Sequence, residues 1–183
     1  YFPSLSKYDG FENNISILPG GMPGLDLIIQ TLNVENIYFP KFYWGSYTKM
    51  ATIRQKPFSF YDSLNDFDLS KLNDSSCIFI CDPSNPTGIK LDDSFLYEKM
   101  SQISKTGAII IFDCPYRKLF CKDDFFDKIS SLDNLIVAES FSKWLGLSGL
   151  RLGFIYSLNK EFNSELNIRL LYEFNAVSSP SQM

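Results

Sequence analysis

The sequence predicts an α/β fold in which a mostly parallel sheet is sandwiched between helices. Three nearly continuous apolar runs, 77–81, 108–112 and 135–138, are typical of strands that are buried on both faces. Segments with helical spacing alternate with these runs, as expected for a sheet covered by helices on both sides. Hydrophobic residues make up 45% of the 183 residues, which is enough for a substantial core.

The predicted elements follow one another without an internal repeat or a linker. Gly20 and Gly21 precede a helix whose apolar residues recur at helical spacing over 25–32, with Pro23 in its first turn. A short strand is predicted at 36–39 and a helix at 92–103. After the apolar run 152–156, a long amphipathic helix is predicted at 160–174, and 178–183 is predicted to be a turn that leads to a further segment.

Charge and hydropathy limit the classes of partner. The net charge is −4, from 17 Lys and Arg against 21 Asp and Glu, and no basic stripe is present, so no nucleic-acid partner is expected. No apolar run approaches the roughly eighteen residues of a membrane helix, so no membrane partner is expected. The chain opens without a secretory signal, and we therefore expect a cytoplasmic protein.

The cysteine and histidine content limits the chemistry. Cys77, Cys81, Cys114 and Cys121 form no C-x-x-C pair and fall mostly in apolar runs, so reduced, buried thiols are expected, with a disulfide or zinc site as the alternative. The chain contains no histidine, which excludes Ser-His and Cys-His catalysis and histidine-ligated metals. No metal site is predicted.

Polar residues follow each of the three buried runs, at 82–88, 113–116 and 139–143. Ligands of open α/β sheets bind outside the carboxyl ends of the strands, so these segments are expected to meet at one rim. Their Asn, Asp, Tyr, Ser and Lys side chains together suit an anionic, aromatic ligand that carries a carbonyl group.

These segments, in this order, resemble the signatures of the fold-type I pyridoxal-phosphate enzymes, the class I/II aminotransferases. The run Asn-Pro-Thr-Gly at 85–88 resembles the family's Asn-Pro-x-Gly loop, and Asp-x-x-Tyr follows at 113–116. Ser-Phe-Ser-Lys at 140–143 with Gly-Leu-Arg-Leu-Gly at 149–153 resembles the Schiff-base signature. The short region 5–21 is more similar to histidinol-phosphate aminotransferases and their decarboxylase relatives than to aspartate enzymes. The resemblance implies pyridoxal 5'-phosphate as cofactor.

The resemblance implies catalytic roles for Lys143, Asp113 and Tyr116. Lys143 would form the Schiff base and then move the substrate's α-proton, and Phe141 and Trp144 are expected to exclude water from its amine. Asp113 ends an apolar run and needs a cationic partner, which in the family is the pyridinium nitrogen. A helix cap is the alternative role for this carboxylate.

The resemblance also implies contacts to the cofactor ring. Asn85 and Tyr116 would hydrogen-bond its phenolic oxygen, although a plain turn is the alternative role for Asn85. The stretch 40–47 resembles the family's Pro-x-Pro-x-aromatic segment, so Trp44 would stack on the pyridine face. Phe42 or Tyr43 could stack instead, and core packing is a further alternative for these aromatic side chains.

Phosphate recognition is expected at the start of the first helix, where free N–H groups and the helix dipole favour an anion. Two serine hydroxyls add donors, and an arginine matches the family's phosphate-binding arginine, with a surface salt bridge as its alternative role. The predicted set is Gly20, Gly21, Met22, Ser140, Ser142 and Arg151.

The chain departs from the family in length. Residues 1–183 are predicted to be a pyridoxal-phosphate-binding large domain that is truncated at both ends and lacks the family's small C-terminal domain. That domain carries the family's arginine for the substrate carboxylate. Tyr1 is a candidate for the tyrosine that reaches a partner subunit's phosphate, and the resemblance implies a homodimer.

The leading hypothesis is transfer of an amino group between an amino acid and a 2-oxo acid through a Schiff base on Lys143. One alternative is decarboxylation of a phosphorylated amino acid with the same cofactor. Another is a cofactor-binding module without turnover. If these residues alone were fully active, Arg54 or Lys118 would be the candidates for binding the substrate carboxylate.

Overall fold

A single sheet of seven strands organises the chain. The computed structural model describes residues 11–120 and 125–178. The strands are β1 (Ile15–Leu18), β2 (Asn36–Pro40), β3 (Phe58–Tyr61), β4 (Ser76–Cys81), β5 (Ile109–Asp113), β6 (Leu135–Ser140) and β7 (Gly153–Ser157). Their order is β1-β7-β6-β5-β4-β2-β3, and within the described ranges β7 alone runs opposite to the other strands, antiparallel to β1 and to β6. The predicted mostly parallel sheet is confirmed.

Seven α-helices accompany these strands in the described ranges. They are α1 (Gly21–Thr31), α2 (Ser46–Ile53), α3 (Asp93–Ser104), α4 (Arg117–Phe120), α5 (Phe125–Ile129), α6 (Phe141–Trp144) and α7 (Lys160–Phe174). The side chains of Asp92 and Asn159 accept backbone N–H groups at the starts of α3 and α7, as N-caps do. The helices predicted at these positions are therefore confirmed.

Helices cover both faces of the sheet, and each face has its own apolar cluster. On one face α1, α2 and α7 pack on the sheet, and on the other face α3 and α5 pack on it. The alternation is visible along β5, where Ile111 joins the first cluster while Ile110 and Phe112 join the second. This arrangement is the predicted sandwich.

Two strands, β1 and β3, and four helices, α2, α4, α5 and α6, were not anticipated. The two strands are four residues long and lie at the two edges of the sheet, where a short pattern of mixed burial carries little signal. Helix α7 is present as predicted but is less amphipathic than expected. It buries Phe162 and Leu166 while Leu171 and Tyr172 are exposed.

The described cysteines agree with the expectation of free thiols. Cys77 and Cys114 are buried, Cys81 is half-buried, and all three are unpaired with another cysteine. Cys121, Tyr1 and nearly all of the predicted turn at 178–183 lie outside the described residues. Across the described ranges, no helix combines the length and the apolar character that crossing a membrane requires.

The strand directions determine where the functional side chains meet. The carboxyl ends of the parallel strands β2, β4, β5 and β6 lie at one edge of the sheet. Because β7 runs in the opposite direction, its first residue, Gly153, lies at the same edge and pairs with Ser140. The loops that follow the parallel strands and the loop that precedes β7 therefore surround one position.

Candidate active site

A cavity of about 370 Å³ opens at this edge of the sheet. This volume is within the range of small-molecule and cofactor sites. It is lined by Gly21, Met22, Leu25, Trp44, Asn85, Asp113, Pro115, Tyr116, Ser140, Ser142, Lys143, Ser148 and Arg151. Every predicted site residue except Gly20 is in this lining. Gly20 lies next to the Arg151 guanidinium, which a Cβ atom at that position would overlap.

The start of helix α1 forms one end of the cavity. Helix α1 begins there after Gly20, whose φ of +107° lies in the region that favours glycine. A Cβ atom on Gly20 would overlap the guanidinium of Arg151, and one on Gly21 would lie 3.0 Å from the Ser140 Cβ. The two glycines therefore allow the helix N-terminus, an arginine and a serine to approach one another closely.

Arg151 is held by its own loop rather than by an acidic residue. Its Nη1 donates to the carbonyl oxygen of Ser148 at 3.0 Å and lies 3.5 Å from the Ser142 hydroxyl oxygen. Among the described residues, no carboxylate is within ion-pair distance of Arg151. The described part of the chain thus gives no support to the surface salt bridge considered above.

Asp113 lies at the floor of the cavity and is 7% exposed. The hydroxyl of Tyr47 donates a short hydrogen bond to its Oδ2 atom. Burial raises the pKa of Asp113 to about 6, and the bond from Tyr47 opposes that shift. In the described ranges no backbone N–H bonds to this carboxylate, so it does not cap a helix there. Tyr47 was not predicted as a site residue.

Asn85 and Tyr116 lie next to each other in the wall of the cavity. The Asn85 Nδ2 donates to the Tyr116 hydroxyl oxygen at 3.3 Å, and burial raises the pKa of Tyr116. The Lys143 Nζ lies 5.8 Å from the centroid of the Tyr116 ring. Asn85, Tyr116 and Lys143 therefore lie together at one side of the cavity.

The expectation that Phe141 and Trp144 shield Lys143 from water is wrong. Lys143 is exposed, whereas the Phe141 and Trp144 rings contact each other at 5.4 Å between centroids. Phe141 also packs on Phe154 in β7 at 5.8 Å. These aromatic side chains fix helix α6 against the sheet, and they do not cover the amine.

Of the three candidate stacking residues, Trp44 is the one that lines the cavity. Phe42 is 64% exposed, and Tyr43 stacks on Phe39 and Phe60 at the outer end of the sheet. The Trp44 ring meets Tyr47 edge to face at 5.7 Å, which supports its orientation.

Neither cation considered for the substrate carboxylate lines the cavity. Arg54 donates to Asp26, with its Nη2 at 2.6 Å and its Nε at 3.2 Å from the two carboxylate oxygens. Lys118 lines a separate, much smaller cavity of about 20 Å³ beside Glu139. In the described ranges the cations of the main cavity are Lys143 and Arg151.

A buried ion-pair network behind the site was not predicted. Arg117 bonds to both Asp82 and Asp93 and lies over the Phe125 ring, 4.1 Å from its centroid. Asp82 also accepts the backbone N–H of Leu91 at 2.7 Å. The network connects the loop that carries Asn85 with the loop after β5 and restrains both.

Glu139 is a further buried carboxyl group, located at the carboxyl-terminal end of β6. Its Oε1 accepts the backbone N–H of Ser140 at 2.8 Å, and the Cys114 thiol approaches its Oε2 at 3.8 Å. Burial raises the pKa of Glu139 to about 8, against the opposing effect of the Ser140 bond. A charged residue inside a buried strand, directly before the Ser-Phe-Ser-Lys motif, is the signal that identifies it.

Solved structures share this architecture. A Methanococcus jannaschii protein, whose active site is described as similar to those of kynurenine aminotransferases, superposes with a TM-score of 0.82 at 23% identity over 99% of this chain and 49% of its own. The L-threonine-O-3-phosphate decarboxylase of Porphyromonas gingivalis gives a TM-score of 0.74 at 21% identity over 86% of this chain and 48% of its own. At these identities the two structures show the fold alone.

The sequence comparisons show the family. The histidinol-phosphate aminotransferase of Buchnera aphidicola subsp. Cinara cedri is 32% identical over 163 residues, which are 83% of this chain and 46% of that protein. The chain thus spans about half the length of this relative. Residues 7–182 match the model of the family described as aminotransferase class I and II. The chain belongs to the class I and II aminotransferase family.

Proposed function

We propose that this chain binds pyridoxal 5'-phosphate in the cavity and serves amino-group transfer between an amino acid and a 2-oxo acid. The observation that carries the proposal is that an amine, a buried carboxylate and an anion-binding helix start line the same cavity. These are Lys143, Asp113 and the N-terminus of α1 beside Arg151. Members of this family use pyridoxal 5'-phosphate, so the donor set is the one the family requires.

The residues present fit each part of the cofactor. The glycine turn leaves room for the phosphate beside Arg151, Ser140 and Ser142, because a Cβ at Gly20 or Gly21 would occupy that space. The Asp113 carboxylate suits a protonated ring nitrogen, and Trp44 offers an aromatic face. When bound, the cofactor supplies an electron sink for the bond that is broken at the substrate's α-carbon.

The chain's own groups have distinct proposed roles. The Lys143 amine would hold the cofactor and would move a proton to or from the substrate's α-carbon. Asn85 and Tyr116 present hydrogen-bonding groups to the ring oxygen. Asp113 supplies negative charge at the ring nitrogen, and Arg151 fixes the phosphate by charge-assisted hydrogen bonds. Met22 lies at the rim of the cavity.

Residues 1–183 are proposed to be the cofactor-binding domain of a larger, cytoplasmic, homodimeric enzyme. Both cations of the described cavity, Lys143 and Arg151, are assigned to the cofactor. We therefore place the group that binds the substrate carboxylate outside the described residues, in the part of the family's chain that this sequence does not span or in a partner. Histidinol phosphate, a phosphorylated amino alcohol, is the amino-group donor that the names of the sequence relatives suggest.

The covalent test uses borohydride reduction of the chain loaded with pyridoxal 5'-phosphate, followed by peptide mass spectrometry. The label is expected on Lys143 and should be lost in Lys143→Ala. Lys118→Ala, which removes a lysine outside the cavity, serves as the matched control and should keep the label. A label on another lysine, or no label, would overturn the proposal.

The activity test separates transamination from its alternatives. The chain alone is expected to transaminate at least about a hundredfold more slowly than a full-length relative, because a substrate held without its carboxylate is poorly oriented. Supplying the remainder of the family's chain, in cis or as a separate polypeptide, should restore turnover. A 2-oxo acid product supports the aminotransferase, carbon dioxide supports the decarboxylase, and failure to restore turnover supports the cofactor-binding module.

A further inference from the structure

Tyr47 is fully buried in α2, with its ring enclosed by aromatic side chains. The ring stacks on Phe39 at 5.6 Å between centroids and contacts Phe79 at 5.1 Å and Trp44 at 5.7 Å. This packing leaves the ring little rotational freedom and fixes the position of its hydroxyl group. A buried tyrosine hydroxyl requires a hydrogen-bond partner, and here that partner is an acid.

The Tyr47 hydroxyl bonds to one oxygen only of the Asp113 carboxylate. It donates to Oδ2, while Oδ1 has no hydrogen-bond partner in the part of the chain that the structure describes. Asp113 itself lines the cavity. A carboxylate held at one oxygen by a rigid donor has its second oxygen fixed as an acceptor for a ligand.

We propose that Tyr47 is a positioning residue for cofactor binding, which acts by holding the Asp113 carboxylate in place and ionised at the floor of the cavity. The inference rests on the proposed function, since it assigns the second carboxylate oxygen to the cofactor's ring nitrogen. Tyr47 does not line the cavity, and therefore it acts through Asp113.

The other groups around Asp113 do not replace this bond. Cys81 on β4, Cys114 and Tyr116 after β5, and Glu139 on β6 each interact electrostatically with Asp113. None of them is a cation, and ionisation of any of them would add negative charge beside the carboxylate. Tyr47 is the group whose hydrogen bond favours the ionised form of Asp113.

The test compares Tyr47→Phe with Tyr61→Phe, a matched control. Tyr61 is also buried, and its hydroxyl donates to a backbone carbonyl, that of Phe79, at 2.7 Å. In the cofactor-free protein, ¹³C NMR of labelled aspartate carboxyl groups should show Asp113 titrating near pH 6, with Asp113→Asn identifying its resonance. Tyr47→Phe should raise this midpoint by about one pH unit or more, as loss of a hydrogen bond to a charged group predicts. Tyr61→Phe should leave it unchanged.

Affinity for pyridoxal 5'-phosphate supplies the second readout. Tyr47→Phe should weaken binding about tenfold or more, whereas Tyr61→Phe should change it by less than about twofold. In the Asp113→Asn background, Tyr47→Phe should cause no further loss, because the two residues act as a unit.

Two results would overturn the inference: an Asp113 titration in Tyr47→Phe that matches wild type, or a loss of affinity that adds in full to that of Asp113→Asn. A wild-type chain that binds no cofactor would overturn the proposed function together with the cofactor part of the inference. The titration needs no cofactor and would still decide whether Tyr47 keeps Asp113 ionised.

Discussion

Replacing Glu139 by Gln is expected to remove a large pH dependence of stability from the cofactor-free chain. Glu139 is 3% exposed, and burial raises its pKa from 4.5 to about 8. The folded state therefore retains a proton that the unfolded state releases. Between these two values the folded chain binds more protons than the unfolded one, so the stability from this group is complete below pH 4.5 and is lost as the pH rises towards 8.

The size of this change in the free energy of unfolding follows from the pKa shift of Glu139. One unit of pKa corresponds to about 1.4 kcal/mol, so the interval from pH 4.5 to pH 7 is worth about 3 kcal/mol in the free energy of unfolding. Gln mimics the protonated form, and its Oε1 can still accept the Ser140 N–H. The variant should therefore gain stability over wild type by about 3 kcal/mol between pH 4.5 and pH 7.

Urea unfolding at half-unit steps of pH measures the effect. Glu98→Gln is the control, because Glu98 is exposed on α3 and also bonds through its Oε1, to the Gln102 side chain at 3.0 Å. Its curve should run parallel to that of wild type. If the Glu139→Gln and wild-type curves were also parallel across this pH range, the carboxyl group would not be protonated in the folded chain, and the reasoning would be refuted.

Three further changes test the site and its support. Gly20→Ala should destabilise the chain by about 1–3 kcal/mol and weaken cofactor affinity, because a Cβ at φ +107° overlaps Arg151; an unchanged urea midpoint would contradict this. Arg117→Met should cost about 3–5 kcal/mol in the free energy of unfolding, because Asp82 is fully buried and loses its counter-charge; a loss below about 1 kcal/mol would show that the pair is dispensable. Asp113→Asn should keep the covalent cofactor but slow exchange of a bound amino acid's α-proton, followed by NMR in D₂O, by orders of magnitude; an unchanged rate would show that the charge of Asp113 is not used.

The sequence predicted the centre of the fold better than its edges. The runs that became β4, β5 and β6 are apolar on both faces, so their pattern does not depend on distant partners. The edge strands β1 and β3 are short and partly exposed, and their formation depends on pairing with β7 and β2. The antiparallel direction of β7 is likewise set by its neighbours, and its local residue pattern does not encode it.

The same division applies to the site. Lys143, Asn85 and Arg151 lie in loops whose residue types and spacing carry the signal, and the structure brings them to one cavity. Tyr47 contributes through a contact with Asp113, a residue distant in sequence, and as an aromatic side chain in a helix it looks like an ordinary core residue. The exposure of Lys143 also escaped prediction, because it depends on how the neighbouring rings pack.

Because strand β7 runs opposite to the other strands, the two sides of the cavity form at different stages of folding. Ser140 and Gly153 pair across the local connection 141–152, which contains Lys143 and Arg151, so closing this loop costs less chain entropy than a long crossover. Asn85 and Asp113 reach the cavity only after β4, β5 and β6 have associated through long crossover connections, which form slowly. The loop that carries Ser142 and Arg151 can therefore close first, and the anion-binding side is complete only when the start of helix α1 has packed against this loop and Ser140.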